Sequence, residues 1–112
     1  MNTMIKEIVR KISGIKVYEE RSVTDEYVEI VFFNKDIDIW NKILVDVFGP
    51  PKKAVGIKPD KEDLALTKNC GGIWDNQPLF KKDVDGEVMI AMFWPWQDEE
   101  HTTLKMSVLK RL

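Results

Sequence analysis

The sequence predicts an α+β domain, a two-layer sandwich in which a mainly antiparallel sheet of about five strands carries two or three helices on one face. Three observations support this fold class. Apolar residues recur at helical spacing in three stretches, and residues typical of strands form two separate groups. An uninterrupted apolar run at 88–96 is followed by an acidic turn and an alternating segment at 102–108. The predicted element order is α-β-β-α-α-β-β-β.

The first elements are an amphipathic helix and a hairpin. Thr3 is a suitable N-cap for the helix, and Ser13-Gly14 indicates its end. The helix presents one apolar face: Met4, Ile5, Ile8, Val9 and Ile12. Residues 15–19 and 27–33 are predicted as strands, joined through the polar residues 21–26.

Two further helices are predicted in the middle of the chain. Asn34 and Asp36 precede an apolar stripe at 37–48 that includes Trp40, and Gly49-Pro50-Pro51 ends it. A basic connector at 52–58 leads to a short third helix, whose first turn is acidic. That helix should stop near residues 70–72. We expect Trp40 to be buried between the second helix and the sheet.

The last three strands are predicted as a meander. Residues 79–84 pair with the strand that begins at Glu87, across an Asp85-Gly86 turn. The alternation after the acidic turn predicts a register in which Trp94 faces Leu104 on the side covered by helices. The same register places Met92 opposite Met106 and Ile90 opposite Val108.

Composition restricts the function classes. The 112 residues are expected to form a single domain, 1–112, and the net charge of −2 predicts no nucleic-acid partner. The apolar run is shorter than the ~20 residues of a membrane-spanning helix, so no membrane association is predicted. Lys6 and Glu7 interrupt the region where a signal peptide would be apolar, which favours the cytoplasm. One cysteine cannot form an internal disulfide.

Aromatic and titratable residues near strand ends are the candidates for a ligand pocket. Indole rings at such positions often keep an edge in solvent and can stack on ligands, although most tryptophans serve in cores. The pocket candidates are Trp74, Trp96, His101, Asp75 and Asp98. The predicted function is a non-catalytic domain that binds a partner protein or a small apolar or aromatic ligand. The alternative is a small hydrolase- or isomerase-like enzyme that uses His101 with a nearby carboxylate.

No metal site and no cofactor are predicted. His101 is the sole histidine, which excludes sites that need two or three imidazoles. The carboxylates at 98–100 are typical of a solvated turn. Cys70 could pair with His101 in nucleophilic catalysis, but its position at a helix C-terminus disfavours the thiolate.

The sequence also predicts a contact surface. In the predicted register, the face of the sheet without helices exposes an apolar patch, which on a soluble protein indicates a contact site. Its residues are Phe80, Met89, Ala91, Phe93 and Leu109. A homodimer would cover this patch. The alternative is that the C-terminal tail or the 52–58 connector covers it.

Overall fold

The computed structural model describes residues 3–84 and 86–110 of the chain. These residues form three helices: α1 (Thr3–Ile12), α2 (Ile37–Phe48) and α3 (Lys61–Thr67). They also form five strands: β1 (Glu19–Val23), β2 (Tyr27–Phe33), β3 (Leu79–Val84), β4 (Glu87–Pro95) and β5 (His101–Lys110). Short 3-10 turns, Asn34–Asp36 and Lys68–Cys70, precede α2 and follow α3. The predicted α+β class and element order are confirmed.

The strands form one antiparallel sheet in the order β1-β2-β5-β4-β3. The C-terminal strand β5 therefore lies in the centre, between β2 and β4. This pairing places the end of β2 beside the start of β5, with Phe33 opposite His101. Residues 34 and 102, far apart in sequence, become neighbours at this end of the sheet.

Helices α1 and α2 cover one face of the sheet. The Trp40 indole of α2 is fully buried and stacks on Phe32 of β2, so the expected burial of Trp40 is confirmed. The helices contribute these buried residues to the core: Ile5, Ile8, Ile12, Trp40, Leu44, Val47 and Phe48. Burial of these side chains against the sheet is the main apolar contribution to stability on this face.

The second face is partly covered by the segment that follows α3. Cys70 and Ile73 pack there against Ile90 and Met92 of β4. Gly71 has a φ of +94°, and a Cβ atom at this position would lie 3.2 Å from the Trp94 ring. Glycine is therefore required both by the backbone conformation and by the close approach of the indole. Strand β4 is thus apolar on both faces because both faces are covered.

The first strand lies later in the chain than predicted. Residues 15–19 are apolar enough to suggest a strand, but Ile15 and Val17 pack against the core from an irregular segment. The observed β1 is a polar edge strand that pairs with β2, with a bulge at Arg21. Charged residues on an edge strand discourage pairing with other chains.

The predicted register of the last hairpin is wrong by one residue. Phe93, not Trp94, lies opposite Leu104, and Trp94 lies opposite Thr103. The predicted pairing of 79–84 with the strand from Glu87 is confirmed, with Val84 opposite Glu87. Asp85 of the connecting turn lies outside the described residues.

The corrected register removes the predicted exposed patch. Phe80, Met89 and Ala91 are fully buried beneath the helices, and Phe93 is 4% exposed. Leu109 lies on the opposite face, where it packs against the cluster around Ile90. The prediction that these five residues form one exposed apolar surface is therefore wrong, because the helices cover the face to which four of them belong.

Candidate functional site

A cleft of about 420 Å³ opens between α2 and one end of the sheet, and we call it the α2 cleft. Its apolar lining consists of Ile37, Pro51, Val55, Pro78, Phe93 and Pro95. Its polar lining consists of Asn34, Asp38, Asn41, Asn76 and Thr102. A concave apolar surface with a few polar groups is the usual character of a small-molecule site.

One wall of the α2 cleft is stabilised by hydrogen bonds between the turn that precedes α2 and the start of β5. The Thr102 hydroxyl donates a hydrogen bond of 2.6 Å to Oδ1 of Asn34. The Asn34 backbone N–H donates to the Glu100 carbonyl at 2.9 Å. Together these bonds anchor the turn before α2 to the start of β5.

The opposite wall consists of two loops joined by a buried lysine. Lys53 is 2% exposed, and its ammonium donates to the carbonyls of Ala54 (3.1 Å), Asp75 (3.1 Å) and Gln77 (2.6 Å). The Gly56 N–H also donates to the Asp75 carbonyl at 2.7 Å. The three ammonium protons thus each have a partner, and the loops that carry Val55 and Asn76 are held together as one unit.

A second group of functional candidates surrounds the β4–β5 turn, and we call it the turn cluster: Tyr18, Phe33, Trp96 and His101. The His101 ring lies 4.1 Å from the Tyr18 ring, 5.2 Å from the Trp96 ring and 5.5 Å from the Phe33 ring, between centroids. The Trp96 indole N–H donates to the Thr103 hydroxyl at 2.8 Å. The three aromatic rings therefore all pack around the imidazole.

Asp98 orients the His101 ring. Its Oδ2 lies 2.5 Å from His101 Nδ1, and its Oδ1 accepts the backbone N–H groups of Glu100 and His101. The hydrogen bond from the His101 side chain, followed by that from the Glu100 N–H, lowers the pKa of Asp98. Since Nδ1 faces the carboxylate, Nε2 is the ring nitrogen left for other contacts.

A hollow of about 420 Å³ lies beside the turn cluster. It is lined by Phe33, Asn34, Lys35, Glu99, Glu100 and His101. Three atoms that could bind a metal ion, one each from Asp98, Glu100 and His101, also lie within 4.8 Å of one another. Asp98 and His101 are in direct contact, and the Asp98 and Glu100 side chains are exposed in the turn between β4 and β5.

The pocket residues predicted from sequence fall into two separate groups. Trp96, Asp98 and His101 meet at the β4–β5 turn, as described above. Trp74 and Asp75 belong to the loop held by Lys53, and the Trp74 ring is 66% exposed. Neither of these two lines the hollow that contains His101.

The sequence did not predict the α2 cleft: of its lining residues, only Phe93 was a predicted site residue, and it was assigned to the contact surface. Asn34 lies in the 3-10 turn before α2, and its side-chain oxygen accepts the hydrogen bond from Thr102. Asp38 and Asn41 lie one turn apart on α2, which is a signal the sequence does carry. Their relation to Thr102 depends on the pairing of β2 with β5, which no local pattern reveals.

Cys70 is a structural residue. It is 8% exposed in the apolar cluster on the second face, and burial raises the pKa of its thiol despite the opposing influence of Ser107 and Lys105. A nucleophilic thiol needs the opposite shift. The pairing of Cys70 with His101 for catalysis therefore has no support.

Comparison with known proteins does not assign this chain to a family. A scan against protein-family models, a search of curated proteins and a search of solved structures each found no significant match. Among the described residues, no helix combines the length and the apolar character that a membrane span needs. The fold class and the two sites thus define an α+β domain whose function must be argued from its own geometry.

Proposed function

We propose that this protein is a non-catalytic binding domain that takes a small ligand with an apolar or aromatic body into the α2 cleft. The observation that carries the proposal is the lining of the cleft. Its volume of about 420 Å³ falls in the range of small-molecule sites, and polar side chains stand around an apolar surface. Apolar contact would supply affinity, and the polar groups would orient the ligand.

The chemistry of the lining favours binding over catalysis. Among the described residues, Asp38 is the one ionisable side chain that lines the cleft. The Thr102 hydroxyl is engaged with Asn34, and the remaining polar groups are amides. General acid–base or nucleophilic catalysis needs a titratable pair or an activated nucleophile, and this lining supplies neither.

A titration with a small probe, followed by two-dimensional amide NMR, tests the proposal. We expect 2-phenylethanol to shift the amide signals of Ile37, Val55 and Thr102 in a saturable manner. Val55 is 63% exposed, so Val55→Trp should fold while its larger ring fills the cleft. We expect this change to weaken probe binding by about tenfold, which is the effect of losing ~1.4 kcal/mol of contact.

Ile57→Trp is the matched control. Ile57 is 57% exposed in the same loop and does not line the cleft. The affinity of this variant for 2-phenylethanol should stay within about twofold of the wild type. If Val55→Trp binds the probe as well as Ile57→Trp does, or if the shifts map to the β4–β5 turn, the α2 cleft is not the site.

The turn cluster supports a second candidate, a proton-transfer enzyme that uses His101. The observation in its favour is the 2.5 Å contact between Asp98 and His101, which resembles the carboxylate–imidazole pair of general-base sites. In this arrangement Asp98 would hold the proton on Nδ1, and Nε2 would accept a proton from substrate. In the described part of the chain, Asp98 is the hydrogen-bond partner of the imidazole, and no nucleophile joins the pair.

Hydrolysis of p-nitrophenyl acetate provides a direct assay for the second candidate. A reactive His101 should give the wild type a kcat/KM that His101→Gln lowers by about 10²-fold or more. Asp98→Asn should lower it less, because the imidazole remains. Equal rates for wild type and His101→Gln would exclude this candidate and leave the binding proposal unaffected.

A further inference from the structure

The α2 cleft carries a single negative charge. Asp38 is exposed on the first turn of α2, and the other polar side chains of the lining are three asparagines and one threonine. No ion pair of Asp38 with another described residue is found. An aspartate is negatively charged at neutral pH, and the helix N-terminus favours that charge. The cleft therefore presents one carboxylate that nothing described here neutralises.

The lysines adjacent to the cleft in the sequence are all engaged elsewhere. Lys52 lies within an ion-pair distance of Asp60, Glu62 and Asp63. The Lys53 ammonium is buried among three backbone carbonyls, as described above.

Lys35, before α2, and Lys42, within α2, also contact other groups. Lys42 pairs with Asp46 one turn further along the helix, at 3.3 Å. The Lys35 ammonium lies 5.6 Å from the centre of the Phe33 ring and lines the hollow beside His101. None of the four lysines lines the α2 cleft. An anionic ligand would therefore meet Asp38 without a compensating cation.

We propose that the ligand of the α2 cleft is an organic amine, with an apolar or aromatic body against Phe93 and Ile37 and its ammonium group beside Asp38. This inference rests on the proposed function and specifies the chemical class of the ligand. The asparagine amides can accept the ammonium protons that Asp38 does not take. Attraction between opposite charges about 4 Å apart in a largely hydrated site corresponds to an affinity gain of about fivefold.

Three probes of the same size class separate charge from shape: phenethylamine, 2-phenylethanol and phenylacetate. Each is titrated against the full chain at low ionic strength, followed by two-dimensional amide NMR. We expect phenethylamine to bind about fivefold more tightly than 2-phenylethanol, with phenylacetate weakest. Added salt should reduce these differences, because it screens charges near the surface.

Two matched variants test the role of Asp38. Asp38→Asn should abolish the preference of about fivefold for phenethylamine over 2-phenylethanol, so that the two probes bind this variant with similar affinity. Asp25→Asn removes the same charge at an exposed residue that does not line the cleft. It should preserve the ranking of the three probes.

The outcomes distinguish this inference from the proposed function. Equal binding of all three probes, blocked by Val55→Trp, would overturn the amine inference while the binding function stands. An equal loss of phenethylamine affinity in Asp38→Asn and Asp25→Asn would also overturn it, because the effect would then reflect net charge. If none of the probes binds at the cleft, the inference and the proposed function both fall.

Discussion

The Trp40 indole lies almost parallel to the Phe32 ring, with centroids 4.7 Å apart and an interplanar angle of 13°. Both side chains are fully buried, and Phe32 in turn meets Phe93 edge to face at 5.4 Å. This row of rings joins α2 to β2 and β4 beneath the α2 cleft. The position of α2, and with it one side of the cleft, therefore depends on the same packing that stabilises the core.

Replacing the buried indole should be costly. We expect Trp40→Ala to lower the free energy of unfolding by about 3–5 kcal/mol, because it leaves a large cavity between α2 and the sheet. Trp74→Ala is the matched control, since that ring is 66% exposed, and its effect should stay within about 0.5 kcal/mol. Urea denaturation followed by circular dichroism measures both values. Similar values for the two variants would contradict the packing described here.

The buried lysine offers a second test. Lys53→Met keeps the length of the side chain but leaves the Gln77 carbonyl without its ammonium donor and the Asp75 carbonyl with the Gly56 N–H alone. We expect a loss of about 2–4 kcal/mol in the free energy of unfolding, the effect of unsatisfied buried polar groups.

Lys58→Met is the comparison for this change, because Lys58 is exposed in the connector that precedes α3. Its effect should stay within about 0.5 kcal/mol. A Lys53→Met protein as stable as Lys58→Met would mean that the loops are held by other contacts.

Elements with a strong local signal were predicted well. The stop at Gly49-Pro50-Pro51 and the apolar stripe of α2 are local features, and α2 ends at Phe48 as expected. Strand β2 was predicted with its observed bounds because Tyr27–Phe33 is both apolar and rich in strand-forming residues. Strand β1 was misplaced because a polar edge strand has no apolar alternation to mark it.

The register error has a physical cause. Each residue from Val88 to Phe93 is buried. The alternation of side chains along β4 therefore does not show which face lies beneath α1 and α2. The prediction assumed that only one face was covered. Cover of the second face comes from residues 70–73, which contact β4 through tertiary packing that is not encoded in the pattern of the strand itself.

The same limitation applies to the sites. The Asp98–His101 pair lies within one turn, so their proximity follows from sequence spacing. The α2 cleft instead combines residues that are far apart in the sequence, such as Asn34 with Thr102 and Val55 with Asn76. Such a site can be described only once the strand order and the paths of the loops are known.

The corrected register makes a further prediction. Phe93 is 4% exposed in the core under the helices, so Phe93→Glu should leave a buried carboxylate without a partner. We expect this variant to be unfolded, or to have a free energy of unfolding lower by about 3 kcal/mol or more. Ile57→Glu places the same group at a residue that is 57% exposed, and its effect should be within about 0.5 kcal/mol. A well-folded Phe93→Glu protein, by circular dichroism and thermal melting, would place Phe93 on an exposed face instead.

A carboxyl group at the start of α3 should make the stability of the fold depend on pH. The Asp60 carboxylate accepts the Asp63 N–H at 2.8 Å, and the Asp63 carboxylate accepts the Asp60 N–H at 3.0 Å, which is a reciprocal capping arrangement. The Lys52 ammonium donates to Asp63 as well. Burial alone would raise the pKa of Asp63, but the hydrogen bonds from Lys52 and from the Asp60 N–H outweigh it and lower the pKa below its ordinary value of 3.8.

A carboxyl group whose pKa is lower in the folded state stabilises the fold above its ordinary pKa and loses that contribution as the pH falls through the folded-state value. The contribution of Asp63 should therefore be constant near neutral pH and decline below about pH 4. We expect Asp63→Asn to be less stable than the wild type near neutral pH, with a difference that narrows in acid. Lys52→Met removes the ammonium partner of Asp63. The difference in stability between this variant and the wild type should also narrow in acid. Urea denaturation of the three proteins at a series of pH values measures their free energies of unfolding. If the difference in free energy between wild type and Asp63→Asn stays constant into acid, the carboxylate charge contributes nothing to the stability of the fold.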